Sequence, residues 1–366
     1  MNYILKSLSG WSAEESAALD TLLYNRHVPL LQAASVSEWE ALRPSLLETF
    51  ETNVYGRKLP RPDEVIFTDI TPRMYGAFMA GHAVRRRVEV KARRNGLEAS
   101  FPFELAIPAN ADAPVPVFVC LNFDPGVLNT YQPTEEIIDN GFATAGFCAP
   151  DVVSDDGDFT NGLAPLYYGP DDLAEDGYPK AADSAGKIGL WALAASLVLD
   201  YLETVPQIDA SKAAVIGHSR MGKTALWAGV LDPRFFAVIS NDSGCGGASI
   251  SRGKRGETIG KITTRFPYWF CRNYQRFADH ESEAPFDQHM LLALIAPRLL
   301  LVGSAERDLW ADPEAEELSL YAASKVYALY RRADADRPLF HYHLRHGDHY
   351  LSRHDWHIYM DFLKDH

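Results

Sequence analysis

A chain of 366 residues, 47% hydrophobic and 23% charged, has ample apolar sequence for a large core and needs no metal or disulfide to complete one. Its net charge of -14, from 35 Lys and Arg against 49 Asp and Glu, argues against nucleic acid or an anionic membrane as the main partner. No stretch reaches the ~20 apolar residues of a membrane span, and the opening MNYILKSLSGWSAEESAALD lacks the pattern of a signal peptide.

Roughly the first 60 residues read as a helical extension, because SAEESAALDTLL (12–23) and SVSEWEALRPSLLETFETNVYG (35–56) carry helical apolar spacing behind Ser or Asp. EVIFTDITP, AVRRRVEVKARR and ASFPFELAIP alternate polar with apolar and predict an antiparallel entry to a sheet. PVPVFVCLNF (114–123) and GFATAGFCAP (141–150) are continuous apolar runs, which suit strands covered on both faces. The segment 151–188, rich in Asp, Gly and Pro, is a long surface excursion of the kind that often carries function.

A helical stripe over 189–205 and a buried strand over 213–217 follow. Beyond them the expected elements are a helix over 221–230, a strand over 235–240, an irregular insertion and a helix over 287–295. Strand 298–303, helix 313–331, strand 338–344 and a last helix, DWHIYMDFLK, complete the chain. The alternation predicts an α/β fold: a mostly parallel central sheet with helices on both faces, a three-layer sandwich forming one domain over 1–366. Four cysteines, Cys120, Cys148, Cys245 and Cys271, form no zinc pattern and no CxxC; they allow up to two disulfides or four buried thiols.

Sites in open parallel sheets form beyond the carboxyl ends of the strands. Four such ends carry reactive side chains: Ser219, then Asp242, then Glu306 and Asp308, then His346 and His349. The order Ser, acid, His is that of the α/β-hydrolases. A serine hydroxyl needs a base, a histidine supplies one near neutral pH, and a carboxylate fixes the imidazole tautomer. His349 is the better base, because Gly347 in HGDH lets the chain turn and present it; His218, His289, His343 and His346 read as ordinary histidines. Asp308 or Glu306 holds the usual acid position and Asp242 comes one strand earlier, so the acid stays open.

In VIGHSRMGKTALW (215–227) the second glycine of the usual G-x-S-x-G elbow falls one place late, at Gly222, and an arginine follows the serine. Arg220 offers a backbone N–H and a guanidinium to a developing oxyanion. Lys223 faces the same side one turn on. Both suit a polar or acidic acyl group better than a fatty one.

The stretch GHSRMGKTALWAG resembles the G-x-S-R-x-G-K nucleophile motif of the glucuronoyl esterases, carbohydrate esterase family 15. SNDSGCGG, GETI, FPYWFC, DQHMLLALIAPR and SAERDLWADP resemble its bacterial branch, from about residue 185 to the C-terminus. The resemblance implies an α/β-hydrolase cleaving esters of 4-O-methyl-glucuronate on xylan with lignin alcohols, without metal or organic cofactor. It implies Ser219 as nucleophile, His349 as base, Arg220 at the oxyanion, and Lys223, Trp310 and Glu257 on the sugar. Where many members have Glu in S-x-E-S-G this chain has Asp242, and it also holds Asp308; both are placed in the site with their division of labour open. The cysteine that fungal members carry before the serine is His218 here, so no disulfide carries over. The family implies a secreted or periplasmic enzyme, whereas the opening residues leave a cytoplasmic one open; a monomer is expected. Rival readings are an esterase for another carbohydrate ester, such as an acetyl ester, and a non-catalytic carbohydrate-binding protein on a hydrolase scaffold.

Overall fold

The computed structural model describes residues 3–72, 78–125, 128–330 and 337–366. Strand β1 (Ile4–Leu8) precedes helices α1 (Ala13–Asn25) and α2 (Val36–Asn53). Both helices start on serines that cap them: Ser12 shares a capping box with Glu15, and Ser35 Oγ accepts from Glu38 N at 3.2 Å. Strands β2 (Glu64–Asp69), β3 (Ala83–Arg94) and β4 (Leu97–Pro108) form the antiparallel meander that their alternation predicts.

The parallel part begins with β5 (Val115–Asn122), which leads past the two-residue strands β6 (Leu128–Asn129) and β7 (Gln132–Pro133) into α3 (Thr134–Asp139). β8 (Ala143–Cys148), α4 (Ala149–Val152), α5 (Lys187–Leu202), β9 (Ile208–His218), α6 (Arg220–Leu231) and β10 (Ala237–Asn241) follow. The insertion after β10 holds α7 (Ile259–Arg265) and α8 (Gln288–Ala293). The chain ends with β11 (Leu299–Ala305), α9 (Pro313–Leu329), β12 (Phe340–Arg345) and α10 (Arg353–Lys364). The expected helix 313–331 stops at Leu329, and Arg331 lies outside the described residues.

Ten strands form one sheet in the order β1-β12-β11-β10-β9-β5-β8-β4-β3-β2. The six from β12 to β8 run parallel; β4, β3 and β2 extend one edge antiparallel. Alternate residues of each strand point to opposite faces. On β5, Val117, Val119 and Leu121 pack into the core that includes α5, α6 and α8, while Phe118 and Cys120 join Trp356, Tyr359 and Met360 of α10 on the other face. α5 is buried along nearly its whole length, so its apolar residues go beyond the single stripe read from the sequence.

Two expectations need correction. The N-terminal extension is not wholly helical: β1 pairs antiparallel with β12 and caps that edge of the sheet. Five residues with alternating exposure give too short a signal to separate from loop. The apolar run 141–150 turns into α4 at Ala149, with Pro150 in its first turn, rather than staying extended. All four cysteines are buried free thiols.

Candidate active site

β9 ends at His218, paired with Asn241 of β10, and the chain turns at once into α6. The turn is Ser219, held at φ 55° and ψ -127°, an uncommon conformation for a residue with a Cβ. Its N–H is fixed to Asn241 O at 2.9 Å. Two glycines make this possible. A Cβ on Gly217 would lie 2.1 Å from Met221 O, and one on Gly222 would lie 2.9 Å from Ser243 Cβ. The late glycine thus serves the close approach of α6 to the loop after β10. Among the described residues Ser219 Oγ makes no hydrogen bond.

His349 follows β12 on a turn that needs Gly347 at φ 124°. Its Nδ1 lies 2.6 Å from Asp308 Oδ2, and Asp308 Oδ1 accepts from Ala311 N at 3.1 Å. Burial alone would raise the Asp308 carboxyl; the hydrogen bond and charge of His349, with the Ala311 N–H, outweigh it and hold Asp308 below the usual carboxylate range. An ionised Asp308 accepts a hydrogen bond from the Nδ1–H, which leaves Nε2 as the basic nitrogen.

Asp242 also lines the cleft, at φ 45° and 1% exposed. Its bonds go elsewhere: Oδ1 accepts from Ala305 N at 2.8 Å, and Oδ2 from Arg345 Nη2 at 3.1 Å and Tyr350 N at 3.3 Å. Burial and the nearby Glu316 push its carboxyl up, against the pull of Arg345. Donor atoms of Asp242, Asp308 and His349 lie within 4.8 Å of one another, but both acids already have protein partners.

Arg220 Nε lies 2.8 Å from Asp155 Oδ2, with the N–H off that line, and the guanidinium sits 4.4 Å from the Phe123 ring centroid and 5.7 Å from that of Trp269. Trp269 Nε1 donates to Asp155 Oδ1 at 2.7 Å, so one carboxylate joins the arginine to the aromatic wall. Lys223 is buried, donates to Ser243 O at 2.5 Å and stands 3.9 Å from Glu257 Oε2. Glu257 N donates to Trp310 O at 3.0 Å, and Trp310 is 47% exposed. All eight residues singled out from the sequence, Ser219, Arg220, Lys223, Asp242, Glu257, Asp308, Trp310 and His349, line this one cleft of about 390 Å³.

A family model described as glucuronyl esterase, fungi, matches residues 90–330. A carbohydrate esterase, MZ0003, from an unknown prokaryotic organism is 33% identical over 92% of this chain and 87% of its own length. A solved glucuronoyl esterase from Solibacter usitatus superposes with a TM-score of 0.80 at 32% identity, covering 90% of this chain and 93% of that one. The chain belongs to the glucuronoyl esterase family. Within the fungal members, 4-O-methyl-glucuronoyl methylesterase 1 of Phanerochaete chrysosporium is 34% identical over 41% of this chain and 34% of that protein.

In and around the cleft of this glucuronoyl esterase stand further residues that sequence reasoning passes over. Asp155 lies in the irregular excursion, where no periodicity marks it. Phe123 ends an apolar run and looks like core. Trp269 and Phe266, stacked 3.9 Å apart, were visible only as part of FPYWFC. His218 is a platform: its ring lies 5.0 Å from Tyr131 and 4.4 Å from His349, and its Nδ1 meets Asn241 Oδ1 at 2.7 Å. Burial, with His349 beside it, lowers its pKa to about 3, so it stays neutral.

Proposed function

We propose that this protein hydrolyses esters of (4-O-methyl-)glucuronic acid such as those joining glucuronoxylan to lignin alcohols, with Ser219 as nucleophile. His349 takes the Ser219 proton through Nε2 while Asp308 holds Nδ1 and stabilises the imidazolium. Ser219 Oγ attacks the ester carbonyl, and the carbonyl oxygen becomes an anion that accepts from the Arg220 N–H groups, at ~3 kcal/mol per donor. His349 returns the proton to the departing alcohol. Water then attacks the glucuronoyl-enzyme with His349 as base, and Ser219 leaves protonated. The sugar lies against Trp310, with Glu257 accepting from its hydroxyls and Lys223 supplying positive charge.

The observation that carries this reading is the 2.6 Å contact of His349 with Asp308 on the same cleft as the elbow serine, Arg220 and Lys223. Secretion, expected of the family, is part of the proposal; no helix among the described residues is long and apolar enough to cross a membrane. The test is hydrolysis of benzyl glucuronate beside an acetyl ester by wild type and Ser219→Ala. Loss of glucuronate ester turnover in a folded variant is expected. Turnover retained by Ser219→Ala would remove the nucleophile, and preference for the acetyl ester would remove the substrate.

A further inference from the structure

Two aspartates reach the cleft, and among the described residues only Asp308 bonds to His349. The bonds of the other lead to Arg345, the last residue of β12, which is 4% exposed. Its guanidinium gathers the turn that carries His349. Nη1 donates to His346 O at 3.3 Å, and Nη2 donates to Asp348 O at 3.0 Å and also to Tyr350 O. Asp348 and Tyr350 flank His349 directly. The charge is met by two buried carboxylates, Asp242 Oδ2 at 3.1 Å from Nη2 and Asp355 Oδ2 at 2.9 Å from Nε. Asp242 Oδ2 also accepts the Tyr350 N–H at 3.3 Å. Asp242 is itself fixed on both sides, its N–H to Gly303 O at 2.8 Å and its Oδ1 to Ala305 N at 2.8 Å. Asp355 fastens the far side, where it caps α10 and meets His343 Nε2 at 2.7 Å.

We propose that Arg345 is a positioning residue for His349 and that Asp242 acts through Arg345, as its counter-charge, rather than on the imidazole. This rests on His349 being the base. The contact with Asp308 fixes one ring nitrogen only; a ring on a loose turn pivots about that contact, and the far nitrogen, Nε2, moves most. Holding the carbonyls on both sides of His349 fixes its Cα and removes the pivot. Gly347, at φ 124°, gives the turn freedom that something else must restrain. A lysine in place of Arg345 cannot reach three carbonyls and two carboxylates from one rigid fork. A neutral residue at 242 leaves the buried cation with one partner fewer.

The experiment compares Arg345→Lys and Asp242→Asn with wild type on methyl glucuronate and on 4-nitrophenyl acetate, with rates expressed per folded molecule from near-ultraviolet circular dichroism and melting curves. The neutral ester separates the two readings. If wild type ignores the glucuronate but cleaves the acetate, the substrate proposal fails while the positioning proposal is still read on the acetate. A small displacement of a catalytic group costs on the order of 100-fold, so kcat is expected to fall about 10- to 100-fold. KM should stay within about twofold of wild type, because the groups that hold the sugar are untouched. The isosteric Asp242→Asn keeps the test alive if Arg345→Lys does not fold. Unchanged kcat in a folded variant, or a loss carried by KM, overturns the proposal.

Discussion

Three residues apart on the same turn stand two histidines, each paired with an acid from the segment after β11. His349 Nδ1 meets Asp308 Oδ2 at 2.6 Å, and His346 Nδ1 meets Glu306 Oε1 at 2.6 Å. The two rings are about equally exposed, 43% and 41% by side chain. Nothing in either contact alone marks one as a base. The difference is what lies beyond the pair. His349 shares a cleft with Ser219, its acid is 4% exposed, and His218 backs its ring. The Glu306 acid is 30% exposed, and Arg307 stands 3.8 Å from the same oxygen. A histidine–carboxylate pair is therefore common chemistry that becomes functional through burial and through a partner for its second nitrogen.

The sharpest way to break this comparison is to delete the two rings in turn. His349→Ala is expected to lower kcat for a glucuronate ester by about 10⁴-fold or more, as removing a base from a triad does. His346→Ala is expected to stay within about twofold. Equal losses would mean that the turn matters and the pair does not; initial rates of both variants decide it.

The acids repeat the contrast one step down. Asp308→Asn keeps shape but presents the wrong tautomer to Nδ1, and should cost on the order of 10³- to 10⁴-fold in kcat. Glu306→Gln should leave kcat unchanged within about twofold. A mild Asp308→Asn defect, read in the same assay, would return the acid role to another carboxylate.

A smaller effect belongs to Lys223, which under the proposed function holds the sugar and not the bond being cut. Lys223→Met is expected to raise KM for methyl glucuronate by about tenfold, equivalent to 1.4 kcal/mol, with little change on 4-nitrophenyl acetate. A parallel loss on both esters would assign Lys223 to the packing around Ser243 instead.

The smallest effect concerns an acid with no histidine at all. Glu316 is fully buried, accepts from Gly244 N at 2.9 Å and Ser304 Oγ at 2.6 Å, and is pushed up to about 7, chiefly by burial, against the pull of those bonds. Its folded pKa lies above its unfolded value, so its contribution is fully present below pH ~4.5 and is lost as pH rises through ~7. Glu316→Gln should flatten the fall of the melting temperature between pH 5 and pH 8 by a few degrees. A variant that tracks wild type across that window would show that the proton is not taken up on folding.

Much of this was legible because apolar runs end where chemistry begins. VIG before Ser219, LLLVG before Asp308 and HYHL before His349 each announce a strand and then a reactive side chain. What stayed hidden depends on direction rather than on pattern. Asp242 and Asp308 both follow strands, and sequence alone cannot show that Arg345 captures the first. Glu316 sits in PEAEEL, which reads as a solvated first turn, yet its side chain is turned inward under the loop after β10. Asp155 lies in a run of Asp and Gly where every acid looks alike.

That aspartate has a practical consequence. It sits in the excursion between β8 and α5, while Trp269 and Tyr268, which donate to its carboxylate and its backbone carbonyl, come from the insertion after β10. With Arg220 at its other oxygen, it is a rivet through two loops that are far apart in the chain. Anyone grafting one of those loops from a relative to retune this enzyme would import half a joint. Chimeras should be built by exchanging both segments together.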